Sequence, residues 1–222
     1  MSASSPKRDL FEQLASVAKA LSHPVRLDLI EHLGQGERSV EALAELVGHS
    51  LANTSHHLLI LRRAGLAEAR KDGKHVFYRL SGDDVIDLIG NLRVTAERHN
   101  AEVEHVLSGY FRSRDNMEAL SREELLRRAR DGLVTILDVR PPDEFEAGHL
   151  PGAINVQLAE LDKRIEGLRL DHEIIAYCRG AYCVLSFEAI AELRKKGFKA
   201  RRLEEGYPEW KAAGLPVDIS AP

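Results

Sequence analysis

The 222-residue sequence holds two cysteines, Cys178 and Cys183, five residues apart. A thiol reacts as its thiolate, so a reactive cysteine needs surroundings that lower its pKa. The segment Tyr177-Cys-Arg-Gly-Ala-Tyr-Cys183 offers such surroundings. Residues 173–177 read as a strand and 184–196 as a helix, and Cys178 opens the loop between them. Backbone N–H groups of such a loop and the dipole of the following helix converge on the sulfur. Gly180 lets the backbone curl with no side chain in the way, and Arg179 adds positive charge beside the sulfur. Cys183 has two readings: a small apolar side chain packed at the helix start, or a resolving thiol that pairs with Cys178. Two cysteines are too few for a disulfide framework, and a reducing, cytoplasmic compartment is the simplest reading.

A second constellation lies in the first half. Asn53, Thr54, Ser55, His56 and His57 stand near the start of a helix read over 51–64. Earlier helices are read over 8–21, 24–33 and 40–47, with stops at Gly34, Gly48 and Gly65 and caps at Ser22, Ser39 and Ser50. Two short helices separated only by Gly48, His49 and Ser50 form a helix-turn-helix candidate. Two strand-like runs, 66–70 and 75–80, flank Lys71-Asp-Gly-Lys74, a hairpin signal whose basic residues suggest a wing that touches DNA. The overall net charge is −4, yet residues 50–79 carry six Lys/Arg against two acids, a local net of +4. Arg62, Arg70, Lys71 and Lys74 are therefore candidate phosphate contacts, a solvated helix face being the plain alternative.

Ser81 with Asp84 resembles a capping box, and one long helix is expected over 83–110. Residues 112–116 are polar and aperiodic, which places a domain boundary there: 1–111, then 112–222. Helices then read over 118–130, 158–168, 184–196 and 207–213, and strands over 134–139, 154–156, 173–177 and 200–203. Such alternation predicts a parallel sheet flanked by helices, whose ligands sit outside the carboxyl ends of the strands. Cys178 stands at one of these ends.

The length suits two domains of roughly 100 residues each. Hydrophobic content of 44% and charged content of 30% are ordinary for a globular chain. No apolar run of about 18 residues predicts a transmembrane helix, so no membrane partner is expected. The polar start, residues 1–8, predicts no signal peptide.

Ala20-Leu-Ser-His-Pro-Val-Arg-Leu-Asp-Leu-Ile-Glu-His-Leu33 and Asn53-Thr-Ser-His-His-Leu-Leu-Ile-Leu-Arg-Arg-Ala-Gly-Leu66, followed by Gly73 and Tyr78-Arg-Leu80, resemble the ArsR-type regulators over residues 8–111. The resemblance implies a mainly-α winged helix-turn-helix, a homodimer built by the first helix and the long helix after the wing, and a recognition helix over 51–64 lying in the major groove of an operator. Many relatives in that family sense metals. This domain has no cysteine, and His99, Glu102 and His105 lack the family's Asp-x-His start, Asp83 and Asp84 being followed by Val85 and Ile86. Surface histidines are the reading taken, with no metal and no cofactor.

Leu137-Asp-Val-Arg-Pro-Pro-Asp-Glu-Phe-Glu-Ala-Gly-His-Leu-Pro-Gly-Ala-Ile-Asn155, the cysteine loop, and Gly206-Tyr-Pro-Glu-Trp-Lys-Ala-Ala-Gly-Leu-Pro-Val217 resemble a rhodanese-like domain over residues 115–218. The resemblance implies an α/β domain with a central parallel sheet and a sulfurtransferase chemistry in which the Cys178 thiolate takes a sulfane sulfur as a persulfide. The donor would be small: thiosulfate, polysulfide or a low-molecular-weight persulfide. Asp138 and Arg140 either brace the loop and shape its mouth or form a structural ion pair. Phosphatases and arsenate reductases of related fold carry Cys-x5-Arg, but here the Arg position is Val184, which removes the guanidinium a phosphate transition state needs.

Together these resemblances predict a DNA-binding repressor whose rhodanese-like domain senses or transfers sulfur. A sulfurtransferase with no coupling to DNA binding is the alternative.

Overall fold

The computed structural model describes residues 5–115, 119–167 and 171–219. It divides into two compact units, Met1–Val85 and Ile86–Pro222.

The first unit runs α1 (Pro6–Leu21), α2 (Pro24–Gly34), β1 (Arg38–Ser39), α3 (Val40–Leu46), α4 (Leu51–Arg63), β2 (Ala67–Asp72) and β3 (His75–Leu80). Ser39 and Ser50 cap α3 and α4 by accepting from the N–H groups of Ala42 and Asn53, as their types predict. Ser22 does not start α2. It ends α1, its hydroxyl donating to the Lys19 carbonyl, while His23 Nδ1 accepts from Val25 N to cap α2. The hairpin is tighter than expected: Asp72 pairs with His75, leaving a two-residue loop in which Gly73 takes φ +57°. Strand β1, too short to read from sequence, adds to β3 and completes a β1-β3-β2 sheet. Leu29, Leu43, Leu58 and Leu61 are fully buried beneath it.

The expected single helix over 83–110 is broken. Helix α5 (Asp84–His99) ends at Asn100, whose backbone is extended and whose side chain caps α6 (Ala101–Val106) by accepting from Glu102 N. Asn does this readily because its short polar side chain competes with the helix for backbone donors. The Ser81 hydroxyl donates to the Gly65 carbonyl. A π-helical turn (Leu107–Phe111) leads into α7 (Arg112–Arg114). The polar, aperiodic stretch expected to hold the domain boundary is thus helical to Arg114. Asp115 beyond it is buried and held by Arg194 at 2.8 Å and Arg202 at 3.1 Å.

The remainder of the second unit runs α8 (Arg122–Arg130), β4 (Val134–Asp138), α9 (Pro142–Ala147), β5 (Ile154–Asn155), α10 (Leu161–Arg164), β6 (Glu173–Tyr177), α11 (Val184–Lys195), β7 (Ala200–Arg202) and α12 (Tyr207–Ala212). The four strands are parallel in the order β5-β4-β6-β7. The helix expected from 118 starts only at Arg122, capped by Ser121, and residues 116–118 lie outside the described residues. The helix expected over 158–168 is split by 3-10 turns on either side of α10, and residue 168 also lies outside them. Alternation along β6 sends Ile174, Ala176 and Cys178 into one apolar layer and Ile175 and Tyr177 into the other.

Candidate functional site

Cys178 follows β6 directly and Cys183 is the N-cap of α11, so the loop joins a strand's carboxyl end to a helix start. The two sulfurs are joined as a disulfide with a Cα–Cα distance of 6.0 Å. Both residues are buried, at 1% and 7% exposure, within the apolar layer beneath the loop. Cys183 N donates to the Gly180 carbonyl at 3.1 Å, and Tyr207 N donates to the Cys178 carbonyl at 3.0 Å. The floor of the loop is tight: a Cβ added at Gly206 would lie 2.6 Å from Gly180 Cα, so glycine is required at 206.

Arg179 is not an unpaired positive charge beside the sulfur. Its Nε lies 3.0 Å from both oxygens of Glu144, a buried carboxylate on α9. Asp138 and Arg140 are placed away from any solvent-facing mouth. Both side chains are fully buried, paired at 2.6 Å, with Arg140 also donating to the Gly148 carbonyl at 2.7 Å and Tyr177 donating its hydroxyl to Asp138. Burial pulls the Arg140 guanidinium down, but hydrogen bonds and charge from Asp138 more than offset this and hold its pKa above the usual value. Burial, with Asp138, pushes the Tyr177 hydroxyl well up. This cluster ties the ends of β4 and β6 together.

Three further residues belong to the loop's surroundings, and sequence reasoning missed them. Glu144 looks in sequence like its exposed neighbours Asp143 and Glu146. The need for Gly206 shows only in the backbone approach. Tyr182, inside the loop, donates its hydroxyl to Glu97 of α5 at 2.5 Å. Burial, reinforced by Glu97, raises the pKa of that hydroxyl. Phe111 packs against Tyr182 and Phe187 with ring centroids 5.6 and 4.9 Å away, and a cavity of about 580 Å³ opens between Tyr182, Phe111 and Arg93.

In the first unit, α3 and α4 form the helix-turn-helix pair. Asn53, Ser55 and His56 are exposed on the first turns of α4, and Arg62 is exposed on its last. Thr54 and His57 are buried, which corrects the expectation that they face DNA. The reason is geometric: five consecutive helical residues sweep the whole circumference, so they cannot share one face. His57 lies 4.4 Å from the His23 ring and 3.5 Å from Arg26 Nη1, and burial, with the charges of His23 and Arg26, lowers its pKa.

On the wing, Arg70 is held by Glu37 at 2.7 Å and Asp72 at 3.0 Å, and Arg79 by Glu68 at 2.6 Å. Lys71 and Lys74 are exposed, with no acidic partner among the described residues. Asn100 interrupts the helix between His99 and Glu102. Among the described residues, no group of three or more His, Cys, Asp or Glu is arranged to hold a metal. Nor is any helix long and apolar enough to cross a membrane.

Comparison with known proteins matches a helix-turn-helix domain model to residues 21–70 and a rhodanese-like domain model to residues 121–213. An HTH-type transcriptional regulator of Mycobacterium tuberculosis is 45% identical over 216 residues, covering 97% of this chain and 95% of its own. A biofilm growth-associated repressor of Xylella fastidiosa is 39% identical over 80 residues, 36% of this chain and 70% of that protein. Among solved structures, the homodimeric winged helix-turn-helix DNA-binding domain of a Mycobacterium bovis protein is 40% identical, covering 45% of this chain and 93% of that one, with a TM-score of 0.41. The full-length match, spanning both domains, places the chain in the family of HTH-type transcriptional regulators that join a winged helix-turn-helix to a rhodanese-like domain.

Proposed function

We propose that this regulator is a sulfur-responsive, ArsR-type repressor in which Cys178 receives sulfane sulfur and Cys183 resolves it. The placement of both cysteines on one strand-to-helix loop, 6.0 Å apart at Cα, carries this reading. The reduced Cys178 thiolate attacks the outer sulfur of a polysulfide or low-molecular-weight persulfide, and the donor's thiolate leaves. Thiosulfate would serve likewise, with sulfite leaving. The Cys183 thiolate then attacks Cys178 Sγ. The sulfur–sulfur bond of the persulfide breaks, hydrosulfide departs, and the Cys178–Cys183 disulfide remains. The two thiols are oxidised and the sulfane sulfur is reduced, so no further oxidant is needed. A cellular thiol reductant resets the pair.

Double-stranded operator DNA is the partner of the first domain, with Asn53, Ser55 and His56 reading bases and Lys71, Lys74 and Arg62 contacting phosphates. A homodimer is supported by the exposed apolar side chains Leu10, Phe11 and Leu14 of α1 and Leu88 and Leu92 of α5. On this reading the functional domains are 1–111 and 112–222, even though the fold is most compactly divided at Val85. The protein acts in the cytoplasm without a resident cofactor. The test is intact-mass analysis of the reduced chain after polysulfide treatment. Wild type should gain one sulfur and then end two hydrogens lighter than the dithiol. Cys183→Ser should stop at the added sulfur, and Cys178→Ser should gain none. Sulfur uptake by Cys178→Ser equal to that of wild type overturns the assignment.

A further inference from the structure

We infer that Tyr182 transmits the sulfur state of Cys178–Cys183 to helix α5 through its hydroxyl bond to Glu97. The inference rests on the cysteine chemistry proposed above and goes beyond it by naming the residues that carry the signal.

Tyr182 reaches out of the cysteine loop to α5, where its hydroxyl lies 2.5 Å from Glu97 Oε1. Glu97 is itself braced one turn back by Arg93 at 3.6 Å, and the Arg93 guanidinium lies 5.9 Å from the centre of the Tyr182 ring. The ring also packs on Phe111. Tyr182 is covalently adjacent to Cys183, so whatever moves that cysteine moves its anchor.

The cysteine layer has no slack. Cys178 and Cys183 are buried in a packed apolar cluster, and the Gly180–Gly206 approach blocks the loop from sinking. Close-packed interiors do not absorb an added atom without displacing a neighbour. A sulfur added to Cys178 must therefore displace the Cys183 side of the loop, and so must reduction of the disulfide, which turns a bonded sulfur pair into a non-bonded one. The structure shows the disulfide state, with Tyr182 seated on Glu97. The displacement makes or breaks a hydrogen bond whose acceptor lies on α5. That helix starts at Asp84, four residues beyond the wing strand β3, and carries Leu88 and Leu92 of the proposed dimer face. Its Arg93 and Glu97, i and i+4, form a separate stripe that meets the tyrosine. One helix thus holds both the proposed dimer face and the anchor of the loop.

The test compares full-length wild type, Tyr182→Phe and Glu97→Gln, each reduced or oxidised with polysulfide, on one operator duplex at fixed salt. Tyr182→Phe keeps the ring and removes only the hydroxyl. Glu97→Gln alters the same hydrogen bond from the other side without touching the loop. Intact mass reports the cysteine state in every sample, and circular dichroism melting reports folding. In wild type the two states should differ in affinity by roughly 5–150-fold, and by reciprocity the operator should shift the dithiol–disulfide equilibrium in a glutathione buffer by the same factor. Tyr182→Phe should form the same disulfide, yet its affinity ratio and its operator-linked shift should both fall to near one, with Glu97→Gln reduced in the same direction. A full wild-type ratio in Tyr182→Phe overturns the inference. So does a wild type whose disulfide forms normally but leaves affinity unchanged, a result that spares the cysteine chemistry. Absence of both persulfide and disulfide in wild type instead brings down the proposed chemistry, and the inference with it.

Discussion

Glu144 and Arg179 form a pair in which Arg179 Nη2 lies 2.9 Å from Glu144 Oε1, with the carboxylate buried and the guanidinium mostly so. The pair fastens the cysteine loop to α9 and cancels the charge Arg179 would otherwise present. Replacing Glu144 by Gln keeps the shape and leaves a partly buried cation without its counter-charge, at a cost of about 1–3 kcal/mol. The same change exposes Arg179 to anionic donors, so reduced Glu144→Gln should react faster with thiosulfate, relative to a neutral persulfide donor, than wild type does. Urea unfolding and donor-resolved rates check both halves. Unchanged stability would show that the pair does not hold the loop.

Thr54 is fully buried, and its hydroxyl has no hydrogen-bond partner among the described residues. Thr54→Val should therefore leave operator affinity unchanged and keep or raise stability, since it removes an unsatisfied buried hydroxyl. Asn53→Ala and His56→Ala, on the exposed side of the same turns, should each weaken operator binding by about 1–3 kcal/mol through the base edge left unread. An operator defect in Thr54→Val comparable to these would restore Thr54 to the reading face.

Much of this arrangement is legible in the sequence, and the failures have physical causes. Ser39 and Ser50 announce their helices because capping is local, and Asp72-Gly73 announces the hairpin because the required positive φ is local too. The strand-loop-helix around Cys178 follows from hydrophobic period alone. Asn100 escapes notice because the apolar spacing continues past it, and the break depends on one side chain bonding one backbone N–H. The partners of Arg179 and Tyr182 are chosen by packing between segments distant in sequence, which no local pattern encodes. The burial of Thr54 and His57, by contrast, is readable from helical geometry applied to five consecutive residues.

The two wing lysines differ from the wing arginines in lacking acidic partners among the described residues. Lys71→Gln combined with Lys74→Gln should weaken binding to specific and nonspecific duplexes alike. The slope of log affinity against log salt should fall by about 0.9 for each phosphate no longer neutralised. Arg70→Gln should do less, because its guanidinium already serves Glu37 and Asp72. Salt titrations of duplex binding decide this, and an unchanged slope in the double variant would remove the wing from the DNA interface.

His57 carries a pH signature. Burial, then the charges of His23 and Arg26, with further contributions from His56 and His49, lower its pKa in the folded state. A depressed histidine binds its proton more readily when unfolded. Its contribution is therefore fully present above the ordinary histidine value of about 6.5 and is lost as pH falls below that value toward the folded one. Wild type should lose stability between about pH 7.5 and about pH 5.5, and His57→Gln should lose less over the same interval. Urea midpoints at the two pH values report the difference, and parallel losses in both proteins would show that His57 is not the group responsible.

Most direct of all is the operator dissociation constant at one fixed salt concentration, measured for reduced wild type, polysulfide-treated wild type and polysulfide-treated Cys178→Ser. Sulfur response through Cys178 predicts that treatment changes wild-type affinity by roughly 5–150-fold while Cys178→Ser stays at the reduced value. Equal affinities in all three would mean that the helix-turn-helix and the rhodanese-like domain share a chain without communicating, and would contradict the proposed function.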